Sequence, residues 1–294
     1  MPLFSIVIPS YNRREKLINA IDSVLAQDCR DFELIVVDDG STDGTESVET
    51  AYHGKIRYIY QENRGVSSAR NRGIAESRSP YIALLDSDDT WNSSKLRRDS
   101  EFINSNPGIL IHQSEDIWIR NCKRVNPGNK HLKTEGDIFS ESLRLCMISP
   151  SSVVFSDEII ERYGLFDELL PACEDYDLWL RITPFERIGL IREKLITRHA
   201  GHNDQLSSLH PLMDRFRLYS IMKLLDTSGE KLKPEQREEA LSVAIEKARI
   251  LMAGSRKREN QHNVAIMEDI LSSLEHGVYK KKNYLSLLQL QPRP

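Results

Sequence analysis

The sequence predicts an α/β fold with a mostly parallel sheet, continued by a helical C-terminal extension. Three observations carry this. Strand and helix patterns alternate through the first ninety residues. Three of the strand-like runs lead directly into short polar segments, as ligand-binding strand ends do in open parallel sheets. Beyond about residue 210 only helical patterns remain.

Taken in order, FSIVIP (4–9) reads as a strand, and Asn12 as the N-cap of RREKLINAIDSVLAQ, whose Leu17, Ile21, Val24 and Leu25 share one helical face. FELIVV (32–37) is a second strand running into DDGSTDGT, followed by a short helix around TESVETAY and the strand IRYIY (56–60). GVSSARNRGIAESR is polar but helix-compatible, and YIALL is the next strand. NSSKLRRDSEFINSNPG forms a capped helix ending at Pro107. ILIHQS and DIWIR read as a strand pair, residues 122–136 as loop, and SSVVFS as a strand. EDYDLWLRI fits a helix with Leu178, Trp179 and Ile182 facing inward, and GLIREKLITRHAGH fits two short strands with a turn. In the tail the clearest helix is PEQREEALSVAIEKARILMAG, from Pro234 to Gly254. The expected division is a catalytic domain over 1–209, with halves 1–91 and 92–209, and the helical extension over 210–294. No internal repeat or low-complexity segment interrupts it.

Composition narrows the function classes. The chain has 294 residues, 39% hydrophobic and 29% charged, with a formal net charge of −4. It lacks the general basic field of a nucleic-acid surface. No apolar run approaches the roughly 18 residues of a spanning helix. MPLFSIVIPSYN has no basic region ahead of its short apolar stretch, so a signal peptide is not expected. Cys29, Cys122, Cys146 and Cys173 are widely spread, without CxxC or zinc spacing. They read as reduced thiols of a cytoplasmic protein, mostly filling core.

The chemistry gathers in PSYN (9–12), DDGSTDGT (38–45) and DSDDTW (86–91). Asp-Gly-Ser alone is ordinary turn composition. Asp86 and Asp88, two apart at a strand end, suit a hard divalent cation such as Mg²⁺ or Mn²⁺ with a phosphate as co-ligand. No G-x-x-x-x-G-K-[ST] loop or G-x-G-x-x-G fingerprint is present, and GVSSA (65–69) departs from the G-x-S-x-G elbow. A bound diphosphate would therefore need metal and isolated cations, with Arg64, Arg70 and Arg72 as candidates, although helical arginines are mostly solvated. A second acidic cluster, CEDYDLWLR (173–181), opens a helix. The helix dipole accounts for acids there, yet Leu178 and Trp179 pin the helix, and a carboxylate so held can act as general base.

With these residues in hand, the chain resembles family-2 glycosyltransferases, inverting enzymes of the GT-A fold. SIVIPSYN, the helix ending SVLAQ, FELIVVDDGSTDGT, ENRGVSSARNRGI, YIALLDSDDTW, GLFDELLPACEDYDLWLRI and RHAGH carry the resemblance, over roughly residues 3–207. It implies that Pro9, Tyr11 and Asp39 line a nucleoside pocket, with Asp39 accepting from the base, usually uracil. Asp38 would support that loop, and Arg70 or Asn71 would lie nearby. Asp86 and Asp88 would be the DxD motif, Asp88 on the metal and Asp86 toward metal and ribose, and Asp175 the catalytic base. His199 falls where relatives carry a histidine near the diphosphate and metal, with His202 a rival. The implied donor is a nucleotide-sugar, UDP-linked, used with Mn²⁺ or Mg²⁺. The acceptor would be a glycan, lipid-linked group or protein in polysaccharide, glycolipid or glycoprotein synthesis.

Two rivals stand beside this. LLDSDDT fits the D-x-D-x-[TV] signature of haloacid-dehalogenase-type phosphatases, with Asp86 as nucleophile and Asp88 as acid, but several β/α units precede it. A non-catalytic nucleotide-sugar-binding protein would be expected to lose the base or the metal pair, and both are present. In the tail, RKR (256–258) and KKK (280–282), followed by Tyr284, Leu285, Leu287, Leu288 and Leu290, could meet an anionic inner-membrane surface. The expectation preferred is that these leucines pack on the catalytic domain or on a second subunit of a homo-oligomer, with the lysines facing water.

Overall fold

The computed structural model describes residues 1–126, 128–201 and 210–291. Among them, residues 1–137, 147–171 and 186–201 form one compact unit, and 138–146, 172–185 and 210–291 a second. Segments 138–146 and 172–185 thus group with the helical tail, where the sequence reading divides the chain once, near residue 209.

The first unit holds the sheet. β1 (Phe4–Ser10) lies between β2 (Phe32–Asp38) and β4 (Tyr81–Leu84), parallel to both, and β3 (Arg57–Tyr60) adds in parallel to β2. Such strands are covered on both faces, so they read as continuous apolar runs. Successive side chains alternate between faces. Phe4, Ile6 and Ile8 pack with Leu17, Ala20, Ile21 and Val24 of α1 (Arg14–Leu25), all fully buried. Ile35 and Val37 turn the other way, onto Ala69 of α3 (Val66–Ala75). There the helix comes so close that a Cβ on Gly73 would lie 2.3 Å from a methyl of Val7. Each such side chain contributes roughly 1.5–3 kcal/mol on burial. The short α2 (Ser47–Ala51) sits between β2 and β3 in the chain.

Past β4 the sheet becomes mixed. β8 (Val153–Ser156) runs antiparallel to β4, and β6 (Ile111–Arg120) antiparallel to β8. β9 (Ile188–Ala200) is parallel to β6, β5 (Thr90–Trp91) caps it, and β7 (Lys123–Val125) pairs with β6. The order is β3-β2-β1-β4-β8-β6-β9-β5. α4 (Lys95–Ser105) and α6 (Asp157–Tyr163) complete this unit.

Several local expectations change. Asn12 is not the cap of α1, whose N-cap is Arg13, a residue that makes no side-chain capping bond to the helix. Its backbone turns left-handed (φ 50°) and its side-chain oxygen accepts from Thr42 N at 2.7 Å, so the atom that would cap is spent on a neighbouring loop. ILIHQS and DIWIR are one strand, not a pair, because β9 supports both across a register irregularity at Ser114–Asp116. GLIREKLITRHA is likewise one strand, with Arg192, Glu193 and Lys194 exposed, so charge there marks a solvent-facing stretch and not a turn. His202 lies outside the described residues. The 122–136 segment contains β7 and a 3-10 turn at Asn129–His131. None of the four cysteines is in a disulfide, but only Cys173 is buried and Cys122 is exposed.

The second unit is helical: α5 (Phe139–Arg144), α7 (Glu174–Ile182), α8 (Met213–Ser228), α9 (Pro234–Lys257), α10 (Gln261–Glu275) and α11 (Lys281–Ser286). α9 runs past Gly254 by almost a turn. α8 buries Phe216, Leu218, Tyr219, Ile221, Met222, Leu224 and Leu225, more than one face, as a central helix does. Tyr284 meets Tyr219 edge-on at 5.1 Å, and Leu287 and Leu290 are buried while Lys281 and Lys282 are exposed. Tyr284, Leu287 and Leu290 thus pack within this helical unit, where the sequence leads one to expect the catalytic domain or a second subunit, and Leu285 and Leu288 are half-buried. Among the described residues no helix is long and apolar enough to cross a membrane.

Candidate functional site

At the carboxyl ends of β1 and β2 two loops are laced together. Asn12 N donates to Ser41 Oγ (2.9 Å), answering the Asn12–Thr42 bond. Pro9 is buried within β1, and Tyr11 is 48% exposed at its end. Asp38 is buried; one oxygen accepts from Ser41 N at 2.9 Å and the other takes the Tyr58 hydroxyl. Burial, and then that carboxylate, push the Tyr58 hydroxyl well above its ordinary pKa. Asp39, also buried, accepts from Gln61 Nε2 (2.7 Å), Arg64 N (2.9 Å) and Gly65 N (2.8 Å). About four lone-pair sites serve a carboxylate, so the 61–65 loop uses most of this one. Gly40 between them has φ 82°, and a Cβ there would sit 2.7 Å from Asn63 N, which only glycine avoids.

At the end of β4 the chain turns tightly, Asp89 N donating to Asp86 O at 3.0 Å. The turn brings one carboxylate oxygen each of Asp86, Asp88 and Asp89 within 4.8 Å of one another. Asp86 Oδ1 accepts from Arg70 Nη2 at 2.6 Å, and Asp88 Oδ2 from Arg13 Nη1 at 3.0 Å. Arg70 is 3% exposed, beneath the Phe166 ring at 5.3 Å. It is thus no solvated helical arginine. Arg64 and Arg72 are exposed, paired with Glu168 and Glu76. Asn71 binds Phe166 O (3.0 Å) and Glu168 Oε1 (3.1 Å), fastening α3 to the 166–168 loop.

Asp89 differs from its neighbours. It is buried, and its oxygens accept from Ser151 Oγ (2.6 Å) and His199 N (2.9 Å). Burial first, and then the Asp88 charge, push its carboxyl up to about 7. Like charges held this close favour either a proton or a cation, and oxygen donors at this spacing suit Mg²⁺ or Mn²⁺. The residues fit such an ion. His199 Nδ1 lies 3.0 Å from Asp88 O, a group that only accepts, so Nδ1 is the donor. His199 is no member of the carboxylate cluster but flanks it. Arg13, Ser151 and Phe166 were not found by sequence reasoning. They lie 60 or more positions from their partners here, and no local pattern announces them.

Asp175 belongs to the helical unit. Cys173, the N-cap of α7, is left-handed (φ 60°) and buried, which pushes its thiol up to about 12. Glu174 and Asp177 are buried; Asp177 pairs with Arg181 and Lys223, both at 3.1 Å. Asp175 is half-buried, its Oδ1 accepting from Tyr176 N (2.7 Å) and its Oδ2 from the Cys146 thiol (3.3 Å). It has no ion pair among the described residues. These acids open a helix instead of ending a strand, which argues against the phosphatase alternative.

Comparison with known proteins then adds the following. The family model described as Glycosyl transferase family 2 matches residues 5–164. An uncharacterized glycosyltransferase of Rickettsia prowazekii is 34% identical over 200 residues, which cover 66% of this chain and 63% of that protein. Among solved structures, S. aureus TarS (residues 1–349, with UDP-GlcNAc) aligns over 97% of this chain and 90% of its own, with TM-score 0.64 and 16% identity. A mannosyltransferase of Pyrobaculum calidifontis, in complex with GDP-Man and Mn²⁺, aligns over 99% and 87%, with TM-score 0.59 and 16% identity. At such identities the likeness shows the fold alone.

Proposed function

This chain belongs to glycosyl transferase family 2 and has the GT-A fold, and on that premise we propose that it moves a sugar from a nucleoside-diphosphate donor, most simply UDP-linked, to an acceptor hydroxyl with inversion. The observation that carries the reading is the convergence of Asp86, Asp88 and Asp89 beside the strand ends that hold Pro9, Tyr11 and Asp39. Pro9, Tyr11 and Asp39 take the nucleoside; Asp86 and Asp88 take the cation, with His199 Nε2 and Arg70 toward the diphosphate. A Mn²⁺ or Mg²⁺ held by these carboxylates would supply positive charge to offset that of a departing diphosphate. Asp175 accepts the proton of the attacking hydroxyl. TarS with UDP-GlcNAc and the archaeal enzyme with GDP-Man and Mn²⁺ support a nucleotide-sugar and a metal without choosing the base or sugar. A glycan, lipid-linked or protein acceptor fits this chemistry.

Thermal stabilisation by UDP-, GDP- and dTDP-sugars with Mn²⁺ identifies the donor. Asp88→Asn is expected to abolish Mn²⁺-dependent UDP binding while the unfolding curve is retained. Unchanged affinity and metal dependence in calorimetry would place the site elsewhere.

A further inference from the structure

We propose that Ser151 is a positioning residue whose hydroxyl clamps the acidic turn by holding both of its ends at once. It comes from the 3-10 turn Pro150–Ser152 just before β8, more than sixty positions from the aspartates, and is fully buried. Its Oγ accepts from Asp86 N (3.2 Å) and donates to Asp89 Oδ2 (2.6 Å). Only a group that donates and accepts together can make both bonds, and the small hydroxyl of serine does so in a space fully enclosed by protein.

The clamp is itself anchored. Trp91 Nε1 donates to Ser151 O at 2.8 Å, and Trp91 sits under the ammonium of Lys95, 5.4 Å from the ring, which is locked to Asp99 at 2.6 Å. On the far side Asp89 passes the restraint to β9 through His199 N, while His199 Nδ1 returns to Asp88 O. Asp86, Asp88, Asp89 and His199 are therefore held by one relay with Ser151 at its centre. Arg70 and Arg13 bond carboxylate oxygens of Asp86 and Asp88, whereas Ser151 bonds the backbone of the turn as well. The consequence for cation affinity rests on the proposed function; the clamp itself does not.

Two measurements on the 294-residue chain test it. The first is amide hydrogen exchange without metal, comparing wild type with Ser151→Ala. Loss of a hydrogen bond to a charged group predicts roughly tenfold or greater acceleration at Asp86 and His199, with amides of β2 unchanged. The second is Mn²⁺ uptake with UDP present, followed by electron paramagnetic resonance, where about a tenfold weaker affinity is expected. Unchanged exchange at Asp86 and His199, or equal acceleration throughout the sheet, would overturn the clamp. Local acceleration with unaltered Mn²⁺ affinity would overturn its role in the site. Failure of the wild type to take up Mn²⁺ would sink the cation reading, and the exchange result would still decide the clamp. Should Ser151→Ala not fold, Trp91→Phe removes the hydrogen bond to Ser151 O together with part of the ring packing, leaves the Ser151 hydroxyl in place and is expected to shift both readouts in the same direction by less.

Discussion

Two stretches of this chain carry three acids within four positions, DSDD at 86–89 and EDYD at 174–177, and the fold uses them in opposite ways. The first lies in a turn, where the backbone reverses and the three carboxylates converge within 4.8 Å. The second opens a helix, where successive side chains diverge by about 100°. Glu174 and Asp177, three apart, point into the helical unit, and Asp175 points off their face, half-buried. Convergence raises local negative potential, which suits the proposed cation. Divergence leaves Asp175 held by its neighbours with no ion pair among the described residues, as the proposed base requires. The same composition thus yields two arrangements because the backbone beneath it differs.

The largest effect expected from this contrast is on turnover. Asp175→Asn should keep donor binding and lose transfer by roughly a hundred- to ten-thousand-fold, whereas Asp88→Asn should lose binding first. Calorimetry and single-turnover transfer on both variants check it. Transfer near the wild-type rate in the Asp175 variant would erase the distinction between the clusters.

The next effect is on stability and concerns the neighbour on the same helix. Asp177 is 1% exposed and answers two cations, Arg181 and Lys223. Asp177→Ala leaves those charges inside without their carboxylate and should destabilise by about 3 kcal/mol, the lower end for a broken buried pair. Urea unfolding at constant slope measures it. A loss of transfer without a loss of stability would instead make Asp177 part of the chemistry.

The smallest effect is a pH dependence in the sheet unit, whose own buried ion network is Lys95, Asp99 and His112. His112 Nε2 meets Asp99 at 3.1 Å, the ring stacks on Phe102, and burial holds its pKa below the ordinary 6.5. The unfolded chain therefore takes up the proton first as pH falls, so this contribution is complete above pH 6.5 and declines below it. His112→Gln should be less stable at pH 7 and show a flatter loss between pH 6.5 and 5. Thermal unfolding across that range tests it, and parallel curves would remove His112 from the balance.

Much of the first unit was legible because its signals are local. Unbroken apolar strands, Leu17, Ile21 and Val24 at helical spacing, and polar segments at strand ends each fall within a dozen residues of one another. β6 and β9 were misread as broken strands. Their charged or polar middles, Ser114–Asp116 and Arg192–Lys194, resemble turns until the partner strand is present to carry the backbone through. Asn12 was misassigned for the same reason, since the loop that competes for its side chain lies thirty positions away.

The sequence by itself determined the order of strands and helices, the acids of both clusters and the family to which the chain belongs, because these depend on neighbours within a turn, a strand or a helix. Only the tertiary structure decided which of those groups meet. Arg13 reaches Asp88, Arg70 slips beneath Phe166 onto Asp86, and Ser151 closes on Asp86 and Asp89. It also decided that α7 and its acids pack with the helical tail. Such pairings follow from how a twisted sheet brings distant strand ends together, and no spacing along the chain encodes them.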